Sequence, residues 1–295
     1  MAGSETRAWI SHSYGAINIF LAVGPQFCEK GEFERLLFHS TYAQAQALVT
    51  NKPSVFDTRE WLSMTPTFDR EIASWTGHRC YVLTKWGRLT NLVRAVREDA
   101  EDEKASRKAV ELAQELMGLD WAADNAFGLP MHKVPTKTPE EAGLVPFSFK
   151  WDDDQFLNVT GLNLIWSSKI ILSGLLQTLY ASGASISWPS LPELQAEELR
   201  CAKLISMSVD YFASMAPYGC MVGLQNLQHA WGAYWRHGNP SSECEHSAMA
   251  EWLRRRGNEF LSHINGEKMQ SIGLAMYTER LMGGACQHPH LREID

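Results

Sequence analysis

The sequence predicts an all-α protein, an irregular multi-helix domain. Apolar residues recur at helical spacing over most of the 295 residues, and no strand-like alternation of any length competes with this pattern. With 45% hydrophobic residues and 11 tryptophans, the chain can fill a substantial core. We therefore expect a single helical domain over residues 1–295.

Glycine and proline delimit the first predicted helices. The opening helix has an apolar face of five residues, namely Ile10, Tyr14, Ile17, Phe20 and Leu21. Gly24-Pro25 ends this helix, and a second helix over 33–49 ends before Pro53. A short helix over 57–66 and one or two helices over 68–96 are expected next.

Two polar segments separate this region from the rest of the chain. Residues 94–108 carry five acidic and five basic side chains, which predicts an exposed helix or helix junction. Residues 128–148 contain four prolines and are interpreted as a long linker. A division into two lobes, 1–127 and 149–295, is therefore the alternative to a single domain.

Strong helical periodicity returns after the proline-rich segment. It predicts helices over 153–181, 194–215, 221–237, 248–263 and 272–282. The first of these is long and apolar, which suits a buried position.

Composition excludes several classes of partner. A net charge of -7 gives no general attraction to phosphate backbones, so we expect no direct nucleic-acid binding. No secretion signal or continuous apolar span is found, which predicts an intracellular protein, cytoplasmic or nuclear, without a membrane segment. The six cysteines lack metal-site spacing, so we expect no metal ion and no cofactor.

Asp152, Asp153 and Asp154 form the most suggestive acidic cluster. Adjacent carboxylates at a helix start could hold magnesium and a diphosphate, as in class I terpene cyclases. That chemistry needs a second metal motif, and residues 258–267 match one only imperfectly. Capping of the helix by acidic side chains is the simpler interpretation.

A second group of candidates lies in the predicted helix 221–237. Helical spacing places Gln225, His229 and Trp235 near one face, with Trp231 one turn before Trp235. His229 could act as a general base or orient a ligand, although a histidine among core aromatic residues is more often structural. Asp210 is a further acid within an apolar helix, and it either pairs with a neighbour or faces solvent.

Several segments resemble the fungal-specific transcription factor domain, the helical middle and C-terminal region of fungal binuclear zinc cluster regulators. The resemblance is carried by Trp9, His12 and Gly24-Pro25, by "FERLLFHS" and "EWLSMTP", and by "FLNVTGLNLIWSSKIIL". It implies an all-helical scaffold for regulation, ligand sensing and self-association. The closely spaced cysteines of the zinc cluster are missing, since the first 200 residues contain only Cys28 and Cys80.

Two functions follow from these observations. The first is a regulatory, ligand-sensing domain without a DNA-binding module, which binds a small apolar metabolite in a helical pocket. A homodimer is compatible with this function. Its expected ligand-binding residues are Trp166, Gln225, Trp231 and Trp235. The alternative is a cofactor-independent cyclase or isomerase of fungal secondary metabolism. Its expected catalytic residues are His229, Asp210, Asp152, Asp153 and Asp154.

Overall fold

The computed structural model describes residues 54–62 except 55, 75–117, 131–136, 139–238 and 245–264, with residues 18, 19, 21, 22 and 24. These parts are mainly helical, which confirms the all-α prediction at the level of fold class. The helices are α1 (Arg59–Leu62), α2 (Trp75–Glu98), α3 (Glu103–Met117), α4 (Pro139–Leu144), α5 (Phe156–Ala181), α6 (Leu191–Ser214), α7 (Tyr218–His237) and α8 (Glu245–His263). Two short strands, β1 (His132–Pro135) and β2 (Phe147–Lys150), accompany them.

Helix α5 is the centre of the fold. It packs against α2, α3, α6 and α7, and its apolar side chains are buried around its whole circumference. Its stretch Asn158–Ala181 is long and apolar enough to cross a membrane, but the most apolar window is 100% buried inside the protein. A helix that is apolar on all sides and enclosed by other helices is a core helix.

Local hydrogen bonds fix both ends of α5. Before it, a 3-10 turn over Asp153–Gln155 follows Asp152, whose backbone nitrogen donates to Gln155 Oε1 at 3.2 Å. After it, Gly183 has a φ of 87°, and the Ala184 nitrogen donates to the Leu179 carbonyl at 3.0 Å. This is a Schellman ending, which favours glycine because its φ is positive.

Helices α6 and α7 approach each other closely where α7 carries glycines. A Cβ added at Gly223 would lie 2.8 Å from Phe212 Cγ and 2.9 Å from a ring carbon of Phe260. Gly219 meets Met215 in the same way, at 2.7 Å. Helix α8 then packs along α7, so α6, α7 and α8 form one layer beside α5.

The two strands differ from the sequence prediction, which gave no strands and placed a linker at 128–148. β1 and β2 pair antiparallel, with His132 opposite Lys150 and Pro135 opposite Phe147. Helix α4 connects them, and β2 packs against α6, where Ser148 Oγ donates to Asp210. Proline is compatible with the end of an outer strand, so the prolines did not exclude this pair. Whether the chain has one domain or two lobes stays a prediction.

The predicted helices 153–181, 221–237 and 248–263 are confirmed to within three residues at each end. Helix α6 begins at Leu191, three residues earlier than predicted, because Ser190 starts it with Glu193 as hydrogen-bond acceptor. The segment 94–108 contains the end of α2, a junction and the start of α3.

The structure describes parts of the predicted opening helix and of the short helix predicted over 57–66. Leu21 lies in a helical turn but is 45% exposed, and Trp61 of α1 is buried. Trp9, His12 and the predicted helices 33–49 and 272–282 lie outside the described residues.

Candidate functional site

His229 lies in the packed interior, on the side of α7 that faces α2 and α5. Its residue surface is 0% exposed, and its ring centroid lies 6.1 Å from that of Trp86. Burial lowers the pKa of His229 to about 3, because the charged ring would lose its hydration. The imidazole is therefore neutral and sealed from solvent at neutral pH.

Hydrogen bonds between helices organise the polar side chains around this position. Ser167 Oγ of α5 donates to Asn226 Oδ1 of α7 at 2.9 Å. Asn163 Nδ2, one turn earlier in α5, lies 3.4 Å from Ser208 Oγ of α6. Buried polar groups that satisfy each other in this way fix the helix register and favour a structural role for the interior.

The four residues predicted to bind a ligand are buried or half-buried on α5 and α7. The rings of Trp231 and Trp235 stack, with centroids 5.0 Å apart and planes at 15°. Trp166 is buried against Phe149, at a centroid distance of 6.3 Å. Gln225 is half-buried, and its Nε2 atom is enclosed without a hydrogen-bond partner among the residues that the structure describes.

Asp210 of α6 forms an ion pair with α8. Its Oδ1 atom lies 2.8 Å from a terminal nitrogen of Arg256 in α8, and its Oδ2 atom accepts a hydrogen bond from Ser148 Oγ at 2.7 Å. Arg256 also pairs with Glu259 at 2.6 Å. The carboxylate therefore ties β2 and α8 to α6.

Asp152, Asp153 and Asp154 are exposed at the start of α5. Burial, together with the three carboxylates, raises the pKa of the neighbouring Tyr211 to about 12, and the Tyr211 hydroxyl donates to the Asp152 carbonyl at 3.2 Å. Within the described ranges, no group of three histidine, cysteine or acidic residues is arranged to hold a metal ion. The geometry at Asp152 favours the helix-start interpretation.

The sequence did not indicate two buried ionic contacts on α6. Glu198 is 0% exposed and pairs with Arg236 and, at 2.9 Å, with His237 Nε2. The preceding Glu197 lies 3.1 Å from Lys169 Nζ of α5, which also donates to the last carbonyl of α3 at 3.3 Å. These pairs connect α3, α5, α6 and α7. They could not be expected from the sequence because glutamates are ordinarily exposed.

The structure contains a groove between α3 and the turn that joins α5 to α6. Its volume is about 740 Å³, and it is open to solvent on one side. Its lining comes from two segments of the chain: Ala100, Glu101, Glu103, Ser106, Arg107, Val110, Glu111 and Gln114, and residues 182–187. None of the residues that the sequence analysis singled out lines this groove.

The charged side chains of the groove form no ion pairs among the described residues. Arg107 lies one turn from both Glu103 and Glu111, yet it pairs with neither. Elsewhere comparable surface pairs do form, such as Arg200 with Glu197 and Arg254 with Glu251, each at 2.6 Å. The charged side chains of the groove are thus available to a ligand.

No protein-family model, curated protein or solved structure matches the chain. The resemblance to the fungal-specific transcription factor domain therefore stays a prediction.

Proposed function

We propose that this protein is a helical regulatory domain that binds a small molecule in the groove between α3 and the α5–α6 turn. The observation that carries the proposal is the groove itself, with its volume of about 740 Å³ and its charged side chains, which form no ion pairs among the described residues. Small-molecule sites typically enclose roughly 300 to 1,000 Å³. The regulatory part of the proposal rests on the resemblance to fungal zinc cluster regulators.

The groove changes the expected character of the ligand. The sequence predicted a small apolar metabolite enclosed by tryptophans, whereas the groove combines Val110 and Ile186 with serine, glutamate and glutamine side chains. A ligand that fits this lining has a compact apolar part and polar groups that bind the surrounding side chains. The proposed ligand is therefore amphipathic.

Binding is favoured over the alternative of a cyclase or isomerase. The preferred catalytic candidate, His229, is enclosed in the packed interior and neutral. The lining of the groove contains no histidine, cysteine, lysine or tyrosine, and its three carboxylates, those of Glu101, Glu103 and Glu111, are exposed to solvent rather than held in an enclosed reaction site.

A thermal-shift experiment on the full chain tests the proposal. The probes are small primary amines, carboxylic acids and alcohols built on the same aromatic rings. A ligand at about 100 times its Kd is expected to raise Tm by roughly 5 °C. Ser106→Trp places an indole in the groove and should abolish the shift, whereas Ser262→Trp, at an exposed position of α8, should retain it.

Two results would contradict the proposed function. One is that no probe of any class changes Tm. The other is that Ser106→Trp, shown by circular dichroism to be folded, responds to every probe as the unmodified protein does.

A further inference from the structure

We propose that the groove selects small organic cations, namely amines attached to a compact apolar body. This inference rests on the proposed function, because it assigns a ligand class to the same groove. It follows from the charges on the lining, from the helix ends that meet there and from the construction of the wall.

Negative charge predominates on the lining of the groove. Three carboxylates, those of Glu101, Glu103 and Glu111, face one guanidinium, that of Arg107. Each exposed carboxylate alone attracts a cation only weakly, because water and salt screen it. Because the three carboxylates line one concave surface, their effects on a bound cation add, which favours a cation over an anion in the groove.

Two helix ends beside the groove add to this negative potential. Helix α2 ends at Glu98 and α5 at Ala181. The lining of the groove begins two residues after the first end, at Ala100, and directly after the second, at Ser182. The carbonyl end of a helix carries a partial negative charge. The start of α3 also lies at the groove, and the amide end of a helix carries the opposite, positive partial charge. Its amide groups are partly satisfied within the chain, since the Lys104 nitrogen donates to Asp102 Oδ1 at 2.8 Å.

The turn that forms one wall of the groove is held in place by hydrogen bonds. The Tyr180 hydroxyl lies 3.0 and 2.8 Å from the carbonyl oxygens of Ile186 and Pro189, and its single hydrogen is shared between these two acceptors. Ser182 Oγ lies 3.2 Å from the Ala100 carbonyl and so connects this wall to the α2–α3 junction. A wall fixed before binding reduces the entropy lost when a ligand enters.

The apolar part of the ligand has a defined place. Val110 of α3 and Ile186 of the turn are half-buried on the lining, so a flat ring between the two walls would bury apolar surface on both sides. An amine on a short chain would then reach Glu103 or Glu111, which lie two turns apart on the same face of α3.

Three indole probes of similar size test the charge preference directly by isothermal titration calorimetry. Tryptamine is cationic, tryptophol is neutral and indole-3-propionate is anionic at neutral pH. We expect tryptamine to bind about fivefold more tightly than tryptophol at low salt, with indole-3-propionate the weakest. Raising the salt concentration from about 20 mM to about 200 mM should weaken tryptamine and leave tryptophol unchanged.

Charge variants assign that preference to the groove. The double substitution Glu103→Gln and Glu111→Gln should reduce tryptamine affinity about fivefold and leave tryptophol unchanged. Arg107→Gln should strengthen tryptamine binding by about twofold because it removes the opposing charge. Glu245→Gln, an exposed carboxylate of α8 outside the groove, is the matched control and should change neither probe.

The outcomes separate this inference from the proposed function. If tryptophol or indole-3-propionate binds as tightly as tryptamine, and Ser106→Trp abolishes that binding, the amine preference is wrong and the groove is still a ligand site. If tryptamine fails to bind, or if the double glutamine variant binds it unchanged, the amine preference is also overturned. The proposed function fails separately, when no probe class binds in the thermal-shift experiment.

Discussion

The indole nitrogen of Trp86 donates a hydrogen bond to Ser168 Oγ at 2.6 Å, which joins α2 to the middle of α5 inside the protein. Both side chains are fully buried, and Ser168 passes its own hydrogen to the Leu164 carbonyl at 2.8 Å. Removing one partner of such a bond lowers the free energy of unfolding more than removing both partners does. The reason is that a lone buried donor has lost its hydration without gaining a hydrogen bond.

Ser168→Ala is therefore expected to lower the free energy of unfolding by about 2 kcal/mol, as measured by urea denaturation. Trp86→Phe combined with Ser168→Ala should cost clearly less than the two single changes added together. Ser262→Ala, at an exposed serine of α8, is the control and should be close to neutral. Additive costs in the double variant would show that the hydrogen bond does not couple the helices.

The close approach of α6 and α7 predicts a strong effect of adding one methyl group. Gly223→Ala places a Cβ within 3 Å of Phe212 and Phe260, and overpacking of this kind costs about 1 to 3 kcal/mol. Gly143→Ala in α4 meets nothing within 4 Å, so the better helix propensity of alanine should leave it neutral or slightly stabilising. Equal stability of the two variants in thermal unfolding would contradict this packing.

The pair between Glu198 and Arg236 predicts a large difference between buried and exposed ion pairs. Arg236→Met removes the guanidinium from a carboxylate that is 0% exposed, and the expected loss of unfolding free energy is about 3 kcal/mol. Arg254→Met breaks a surface pair with Glu251 and should cost less than about 0.5 kcal/mol. Urea denaturation of both variants measures the difference, and a small cost at Arg236 would show that Glu198 is not enclosed.

The enclosed histidines predict a loss of stability on mild acidification. Burial lowers the pKa of His229 to about 3, and burial together with Arg236 lowers the pKa of His237 to about 4. The ordinary value for both is 6.5, so between these limits the unfolded chain binds more protons than the folded chain. The free energy of unfolding should therefore fall as the pH drops below 6.5, by up to about 1.4 kcal/mol per pH unit from each histidine.

His229→Leu should remove about half of this dependence, as measured by urea denaturation across the mildly acidic range. His132→Gln changes a ring that is exposed on β1 and should leave the dependence intact. An unchanged slope in His229→Leu would show that the His229 ring is accessible to protons in the folded protein, which would restore it as a catalytic candidate.

The sequence predicted the helices of the second half well because each has its own apolar periodicity and its own local start or end. Residues 153–181 illustrate this, with Asp152 at one end and Gly183 at the other. The strands were missed because Pro135 and Pro146 suggested a linker, and pairing across α4 is a nonlocal event that periodicity does not report.

The candidate site was less predictable for the same physical reason. The groove brings residues 100–114 against residues 182–187, and its charged lining has the composition of any solvated surface. The sequence instead directed attention to His229 and the tryptophans, whose aromatic character suits a binding wall and a packed core equally well. Only their observed burial separates these two roles.

The proposed binding site is tested most directly by locating a bound ligand in an amide chemical-shift titration of the full chain with tryptamine. If the ligand binds in the groove, we expect saturable shifts at the amides of Ser106, Glu111 and Ser185, and we expect the amides around His229 to stay unchanged. Shifts confined to the neighbourhood of His229, Gln225 and Trp231, or no saturable shifts at all, would contradict it.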